Sequence, residues 1–130
     1  MNDVNDVTVQ DVLALANRVR NITSPQDAQA TMQELVAVHA YLSERYCHYH
    51  AERRIAVARE MARLREMVDE KGRAKYTMGD AEAISLVAAE DVYRAEYRFR
   101  GLLDAVNEAI QVLKMRGRLY MAEMANIRAE

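Results

Sequence analysis

The scarcity of helix-breaking residues constrains this chain more than any other feature. Its 130 residues contain one proline and four glycines, and neither residue type occurs between Pro25 and Gly72. Such a run favours one helix of roughly 47 residues, or ~70 Å at 1.5 Å per residue. About half of the residues are apolar, and Ala, Leu, Val, Met, Glu and Arg are common. The composition therefore predicts an all-α fold with a hydrophobic core and few turns.

Two capping signals mark the starts of the first helices. Thr8 begins a Thr-x-x-Asp capping pattern, which predicts a short helix over residues 9–20. Ser24 predicts the start of the second helix, because serine caps a helix and Pro25 suits its first position. We expect this helix to continue to a loop at residues 72–79, where glycines and charged residues are concentrated.

The second half of the chain predicts the return arm of a hairpin. Thr77 caps a third helix whose apolar stripe extends to Arg116, and we expect Gly117 to break that helix. Two long helices joined by a short loop predict a long antiparallel hairpin with short terminal helices. We expect a single helical domain over residues 1–130, composed of a short helix and loop (1–24), the hairpin (25–118) and a short C-terminal helix (119–130).

The third helix carries more apolar surface than one neighbouring helix can cover. Its stripe is too wide for a single seam, so we expect assembly into an oligomeric ring or bundle. A monomeric three- or four-helix bundle, closed by the terminal helices, is the alternative. The expected oligomerisation residues are Phe99, Leu102, Leu103, Val106, Ile110 and Leu113.

Charge is distributed unevenly along the chain, although the net charge is only −2. Residues 45–75 carry nine basic and five acidic side chains, whereas residues 1–44 carry two basic and six acidic ones. Most basic residues are arginine, whose planar donor fork suits phosphate. The middle segment therefore predicts either a nucleic-acid surface or the ordinary charged face of an exposed helix. Four tyrosines can stack on bases or pack in the helix seam: Tyr41, Tyr46, Tyr49 and Tyr76.

No pattern indicates an active site or a cofactor. The segment YCHYH at residues 46–50 offers at most three metal ligands on one helix, which is too few for a zinc site. Cys47 lacks the oxyanion loop that a nucleophile needs. A single cysteine, the lack of a signal peptide and the lack of an apolar run of ~20 residues predict a cytoplasmic protein that does not span a membrane.

Three segments, within roughly residues 30–130, have a distinctive pattern: FRGLLDAVNEAIQVLKMRGR, AERRIAVAR and GRAKYTMGD. Together they resemble the UvsY family of phage recombination mediators. The end of that family has a helix with LLD and an apolar stripe that closes on Arg-Gly. The similar segment here is FRGLLDAVNEAIQVLKMRGR, followed by a segment ending MANIRAE. AERRIAVAR at residues 51–59 is similar to a helical segment with two basic residues before Val-Ala. GRAKYTMGD lies where the family has a glycine-rich, charged turn. The family's second pair of basic residues is replaced here by ARE at residues 58–60.

The resemblance implies a role in homologous recombination. Members of the family form ring-like oligomers through their carboxy-terminal helices, bind single-stranded DNA and help a RecA-type recombinase replace the single-strand-binding protein. For this chain it implies a non-enzymatic mediator without a cofactor, acting as a hexamer or heptamer in the host cytoplasm. A helical phage assembly or scaffold protein that binds only protein is the alternative. The expected DNA-binding residues are Arg53, Arg54, Arg59, Arg63, Arg73 and Lys75.

Overall fold

A computed structural model describes residues 7–129 and contains four helices. They are α1 (Val9–Arg20), α2 (Pro25–Arg65), α3 (Met78–Ala88) and α4 (Glu90–Ala129). The prediction of an all-α fold is confirmed, since the described residues contain no strand and only one isolated β-bridge, between Val68 and Ala74. None of these four helices combines the length and the apolar character that crossing a membrane requires.

The chain divides into two compact units. The terminal unit comprises the chain up to Ser43 and from Arg100 onward, and the central unit comprises Glu44–Phe99. Both α2 and α4 contribute to each unit, whereas α1 belongs to the terminal unit and α3 to the central unit. Each unit has buried apolar side chains of its own.

The first two helices begin where their capping signals predicted. Thr8 Oγ1 accepts a hydrogen bond from the backbone N–H of Asp11 at 3.3 Å, and Asp11 Oδ2 accepts one from the backbone N–H of Thr8 at 2.8 Å. The hydrogen bond from the Thr8 backbone lowers the pKa of the Asp11 carboxyl. α1 covers the predicted residues 9–20. Ser24 Oγ accepts from the backbone N–H of Asp27 at 3.1 Å and so caps α2.

α2 ends at Arg65, whereas the sequence predicted a helix that continues to Gly72. Asp69 Oδ1 accepts hydrogen bonds from the backbone N–H groups of Lys71 and Arg73, both at 2.9 Å. Gly72 has a φ of 75°, which glycine adopts without strain. The helix ends early because an aspartate side chain competes for backbone donors, and Asp69 stabilises a tight turn here.

The predicted single third helix is divided into α3 and α4 at Ala89. The backbone of Ala89 leaves the helical conformation, with φ −94° and ψ 11°, and its N–H donates to the carbonyl oxygen of Ser85. Ala89 and Ser85 are both buried. Neither glycine nor proline marks this junction, so the local sequence carries no signal for it.

The predicted break at Gly117 is also wrong. α4 continues through Gly117, and residues 119–129 of the expected separate helix (119–130) are the end of α4; residue 130 lies outside the described residues. Glycine costs a helix interior only ~1 kcal/mol relative to alanine, which neighbouring contacts can offset. Arg116 Nη1 donates to the carbonyl oxygens of Val19 at 3.0 Å and Arg20 at 2.7 Å, at the end of α1. These hydrogen bonds anchor α4 beside Gly117.

Four of the six expected oligomerisation residues are buried within a single chain. Leu102, Val106 and Leu113 belong to the core of the terminal unit, to which α1 and α2 contribute Val19 and Leu35. Since these helices cover the α4 stripe, its central residues form core rather than a seam between subunits. Phe99 is buried in the central unit, while Leu103 and Ile110 remain partly exposed.

α2 and α4 run antiparallel within the central unit. Tyr49 on α2 stacks on Phe99 of α4, with ring centroids 5.4 Å apart. Arg53, one turn further along α2, instead contacts Glu96 and Tyr93, which precede Phe99 on α4. This packing determines which arginines of α2 face inward and which face solvent.

Candidate nucleic-acid interface

Arg53, an expected phosphate ligand, is engaged inside the central unit. Its side chain is only 20% exposed, and its Nε donates to Glu96 Oε2 at 2.5 Å. The hydrogen bond to Glu96 raises the pKa of the Arg53 guanidinium above its usual value. A phosphate would have to displace Glu96 to bind here, so the geometry gives Arg53 a packing role.

Glu96 is the centre of this polar cluster, and no local sequence pattern indicated its importance. The residue is 7% exposed. Burial opposes the charged form, but hydrogen bonds from His50 and Arg53 outweigh it, and the pKa of Glu96 lies below its usual value. His50 Nδ1 lies 2.7 Å from Glu96 Oε1. Because an ionised carboxylate can only accept, this nitrogen donates the proton. The cluster therefore ties α2 to α4.

Arg54, Arg59 and Arg63 lie on the surface of α2. Arg54 and Arg59 are exposed and form no ion pair with another residue in the described range. Arg63 Nη2 pairs with Glu60 Oε1 at 2.6 Å. Their hydrogen bond raises the pKa of Arg63 and lowers that of Glu60. Two of these three arginines are thus available to an external anion.

Arg73 and Lys75 lie in the turn after α2, and both are exposed. Lys75 Nζ lies 5.5 Å from the ring centroid of Tyr76. The six expected DNA-binding residues therefore occupy three settings: the inner face of α2, its outer face, and the turn. They do not converge on one compact site.

An open groove of about 530 Å³ on α3 and α4 combines tyrosine and arginine side chains. Tyr93 and Tyr97 lie one turn apart on α4, and Arg94 and Arg98 follow them at the same spacing. Tyr97 is 59% exposed, whereas Tyr93 is half-buried. We name this surface the Tyr–Arg groove; its lining residues are Leu86, Glu90, Tyr93, Arg94, Tyr97 and Arg98.

The two tyrosines of the groove form a supported stack. Their rings lie 21° from parallel, with centroids 5.3 Å apart. The guanidinium carbon of Arg53 lies 4.6 Å from the ring centroid of Tyr93, and Glu96 holds that guanidinium. Tyr93 is therefore positioned by neighbours, while Tyr97 presents an exposed aromatic ring.

The cations of the groove are accessible. Arg94 Nη2 lies 2.7 Å from Glu90 Oε1, but the two side chains are 76% and 57% exposed. An ion pair with this exposure contributes ~0–1 kcal/mol, so an anion can displace Glu90 at low cost. Arg98 is exposed and pairs with no carboxylate of the described residues. Aromatic rings beside arginines suit a single-stranded nucleic acid, because bases stack and phosphates bind guanidinium groups.

A pattern in the sequence marks this groove, although it was not among the predicted site residues. Tyr-x-x-x-Tyr and Arg-x-x-x-Arg overlap between residues 93 and 98, and side chains four apart share one helix face. The four tyrosines predicted from the sequence to stack on bases or pack in the seam are all half-buried: Tyr41, Tyr46, Tyr49 and Tyr76. Two of them stack inside the unit, Tyr46 on His50 and Tyr49 on Phe99.

Residues 46–50 do not assemble a metal site. His48 Nε2 lies 3.2 Å from Glu52 Oε1, and His50 contacts Glu96 instead. Cys47 is exposed with a free thiol. Within residues 7–129, no three His, Cys, Asp or Glu side chains are grouped closely enough to hold a metal ion.

Comparisons with known proteins do not identify a family for this chain. Scans against protein-family models, curated proteins and solved structures find no match. The resemblance to the UvsY family therefore stays a prediction from the sequence. The Tyr–Arg groove and the exposed arginines of α2 are the observations from which a function can be argued.

Proposed function

We propose that this protein is a single-stranded DNA-binding recombination mediator without catalytic activity. The Tyr–Arg groove supports the DNA-binding part, because an exposed Tyr97 ring and the accessible guanidinium groups of Arg94 and Arg98 line the same groove. The second part rests on the sequence resemblance: the protein helps a RecA-type recombinase to displace single-strand-binding protein. It acts as a homo-oligomer of six or seven subunits in the host cytoplasm, as the resemblance implies.

One groove binds single-stranded DNA weakly, and assembly of several subunits increases the affinity. Stacking one base on an aromatic ring contributes ~1–3 kcal/mol, and each neutralised phosphate adds about −0.7 to the slope of log K against log salt. One groove offers one exposed tyrosine and two accessible arginines. Several subunits engaging one strand multiply these contacts through effective concentration. Affinity is therefore expected to depend strongly on assembly.

Substitution of Tyr97 tests the stacking contact. We expect Tyr97→Ala to weaken binding of fluorescent oligo-dT by roughly 5- to 150-fold, because one stacking ring is lost. Tyr97→Phe is the matched control; it keeps the ring and is expected to bind like the wild type. Fluorescence anisotropy at several salt concentrations should show the same salt slope for both variants, since neither removes a charge.

Substitution of the arginines tests the phosphate contacts. Arg94→Ala with Arg98→Ala should flatten the log–log salt slope by about 1.4 per groove engaged. Arg100→Ala removes one positive charge from the same helix outside the groove, and should leave most of the slope intact. The proposal is overturned by a wild-type protein that fails to bind oligo-dT at moderate salt, or by groove variants that bind like the wild type.

The mediator step has a separate assay. Wild-type protein should shorten the lag before a RecA-type recombinase hydrolyses ATP on strands covered by single-strand-binding protein, and Tyr97→Ala should not. If the protein binds DNA as expected but leaves this lag unchanged, the mediator role is disproved and the DNA-binding role is not.

A protein-only assembly or scaffold function is the second candidate. The observation that favours it is the exposed apolar surface of α3, where Val87 is 72% exposed. The assembly or scaffold function predicts stable assemblies with no measurable affinity for single-stranded DNA. The anisotropy titration therefore distinguishes the two functions.

A further inference from the structure

α3 has an apolar face that the described chain does not cover. Its buried residues, Ala81 and Ser85, are small and lie on one side of the helix. Larger apolar side chains are exposed away from that side: Ile84 is 37% and Val87 72% exposed, and their spacing of three places them on one face. Leu86, 39% exposed, lines the Tyr–Arg groove instead. Among the helix's eleven residues only Asp80 and Glu82 are charged. This distribution of apolar residues is typical of a helix that packs against a partner on each side.

Acidic side chains frame this face of α3. Asp80 and Glu82 lie near its start, and Glu90 and Asp91 follow its end. No basic residue occurs between residues 76 and 93, so the segment carries four negative charges. A partner that buries the apolar face therefore needs a basic surface around an apolar centre.

The outer face of α2, in the same unit, has this complementary character. Ala51, Ile55, Ala58 and Ala62 recur at helical spacing and are exposed. Arg54 and Arg59 flank this stripe and form no ion pair with any residue from 7 to 129. Small side chains permit close approach of another helix, since interaxial distance depends on the side chains at the contact.

We propose that the apolar face of α3 in one copy docks against the outer face of α2 in a second copy. Val87 and Ile84 then pack on Ile55 and the alanine stripe. The acids around α3 face the arginines beside that stripe. Because the two surfaces differ, the contact is head-to-tail, and repetition produces a closed ring or an open filament. The proposal stands without DNA, so it does not depend on the function proposed for the Tyr–Arg groove.

A pair of charge-reversed variants tests this contact. One variant carries Asp80→Arg and Glu82→Arg on α3, and the other carries Arg54→Glu and Arg59→Glu on α2. Each alone places like charges across the interface and should weaken self-association roughly tenfold or more. An equimolar mixture should recover assembly, because each reversed surface then meets its opposite on the other variant. Sedimentation velocity without DNA gives the size distribution.

Two further variants keep the test decisive. Val87→Asn removes an exposed apolar side chain without reaching the core, and should reduce assembly if circular dichroism shows an intact helix content. Glu108→Arg changes an exposed charge in the terminal unit and should assemble like the wild type. A monomeric wild-type protein at ~50 μM, well above the micromolar range of specific association, overturns the proposal.

The α2 variant also distinguishes the proposed contact from a symmetric one. If α3 instead packed on α3 of the second copy, Arg54→Glu with Arg59→Glu would assemble normally by itself, because neither arginine would lie in the contact. That result overturns the proposal. Val87→Asn should lose assembly together with the affinity that several subunits add, while the residual binding by one groove stays sensitive to Tyr97→Ala, because Val87 does not line the Tyr–Arg groove.

Discussion

Arg53 and Glu96 form a nearly buried ion pair between α2 and α4 in the central unit, with their side chains 20% and 9% exposed. The same guanidinium lies over Tyr93, whose ring stacks on the exposed Tyr97. One residue thus connects the packing of the two helices with the proposed DNA-binding groove. The resemblance implied that Arg53 binds phosphate directly; the geometry instead supports an indirect role, in which Arg53 positions Tyr93.

Glu96→Gln should destabilise the fold at neutral pH by about 1–3 kcal/mol. The substitution replaces a charged acceptor of hydrogen bonds from two side chains with a neutral one and leaves Arg53 without its counter-ion. Urea unfolding followed by circular dichroism measures the change. Glu90→Gln is the matched control on α4: its pair with Arg94 is exposed, so it should change the free energy of unfolding by less than ~1 kcal/mol.

The cost of Glu96→Gln should diminish in acid. The pKa of Glu96 is lower in the folded protein than its ordinary value. A carboxylate with a lowered folded-state pKa stabilises the fold above its unfolded-state pKa of about 4.3, and the stabilisation is lost as the pH falls through the folded-state value. The stability difference between wild type and Glu96→Gln should therefore be constant near pH 7 and shrink below about pH 4. A difference that persists unchanged at pH 3 would contradict this assignment.

Arg53→Met tests whether Arg53 positions an aromatic ring or binds phosphate. Methionine keeps an unbranched apolar stem but removes the guanidinium that holds Glu96 and lies on Tyr93. We expect lower thermal stability and weaker oligo-dT binding, with little change in the salt slope, because no phosphate contact is lost. A slope flattened by about 0.7, with the melting temperature unchanged, would instead show direct phosphate binding.

Glu90→Gln should strengthen DNA binding. Glu90 lies in the Tyr–Arg groove and pairs with Arg94, so it competes with phosphate and repels it. Since an exposed pair is worth ~0–1 kcal/mol, its removal should increase oligo-dT affinity by up to about fivefold. Glu108→Gln, an exposed change outside the groove, controls for net charge. Equal gains in both variants would show that only the overall charge matters.

Helix starts were predictable because the capping group and its target lie three residues apart. Thr8 and Ser24 accept the expected backbone hydrogen bonds, and α1 and α2 begin accordingly. The end of α2 was not predictable from breakers alone, because Asp69 builds a turn before the first glycine. The junction at Ala89 has no local marker in the sequence.

The candidate site was less accessible to sequence reasoning than the fold. The inward orientation of Arg53 depends on Glu96, which lies 43 residues away along the chain. No local pattern relates the two residues before the register of α2 against α4 is known. The pairing of Tyr93 with Tyr97 was visible as a spacing of four, but their exposure depends on how α4 packs in the central unit.

The continuity of α4 through Gly117 can be measured with a matched pair of glycines. Gly101 and Gly117 both lie inside α4, and a Cβ added at either position would meet no atom within 4 Å. Alanine loses less backbone entropy than glycine when a helix forms, so each Gly→Ala change should stabilise the protein by about 0.5–1 kcal/mol. If the helix instead broke at Gly117, Gly117→Ala should destabilise the protein, because a left-handed glycine that ends a helix is strained by a Cβ. Urea midpoints of Gly101→Ala and Gly117→Ala should therefore rise together if the helix is continuous, whereas a fall for Gly117→Ala alone would restore the break.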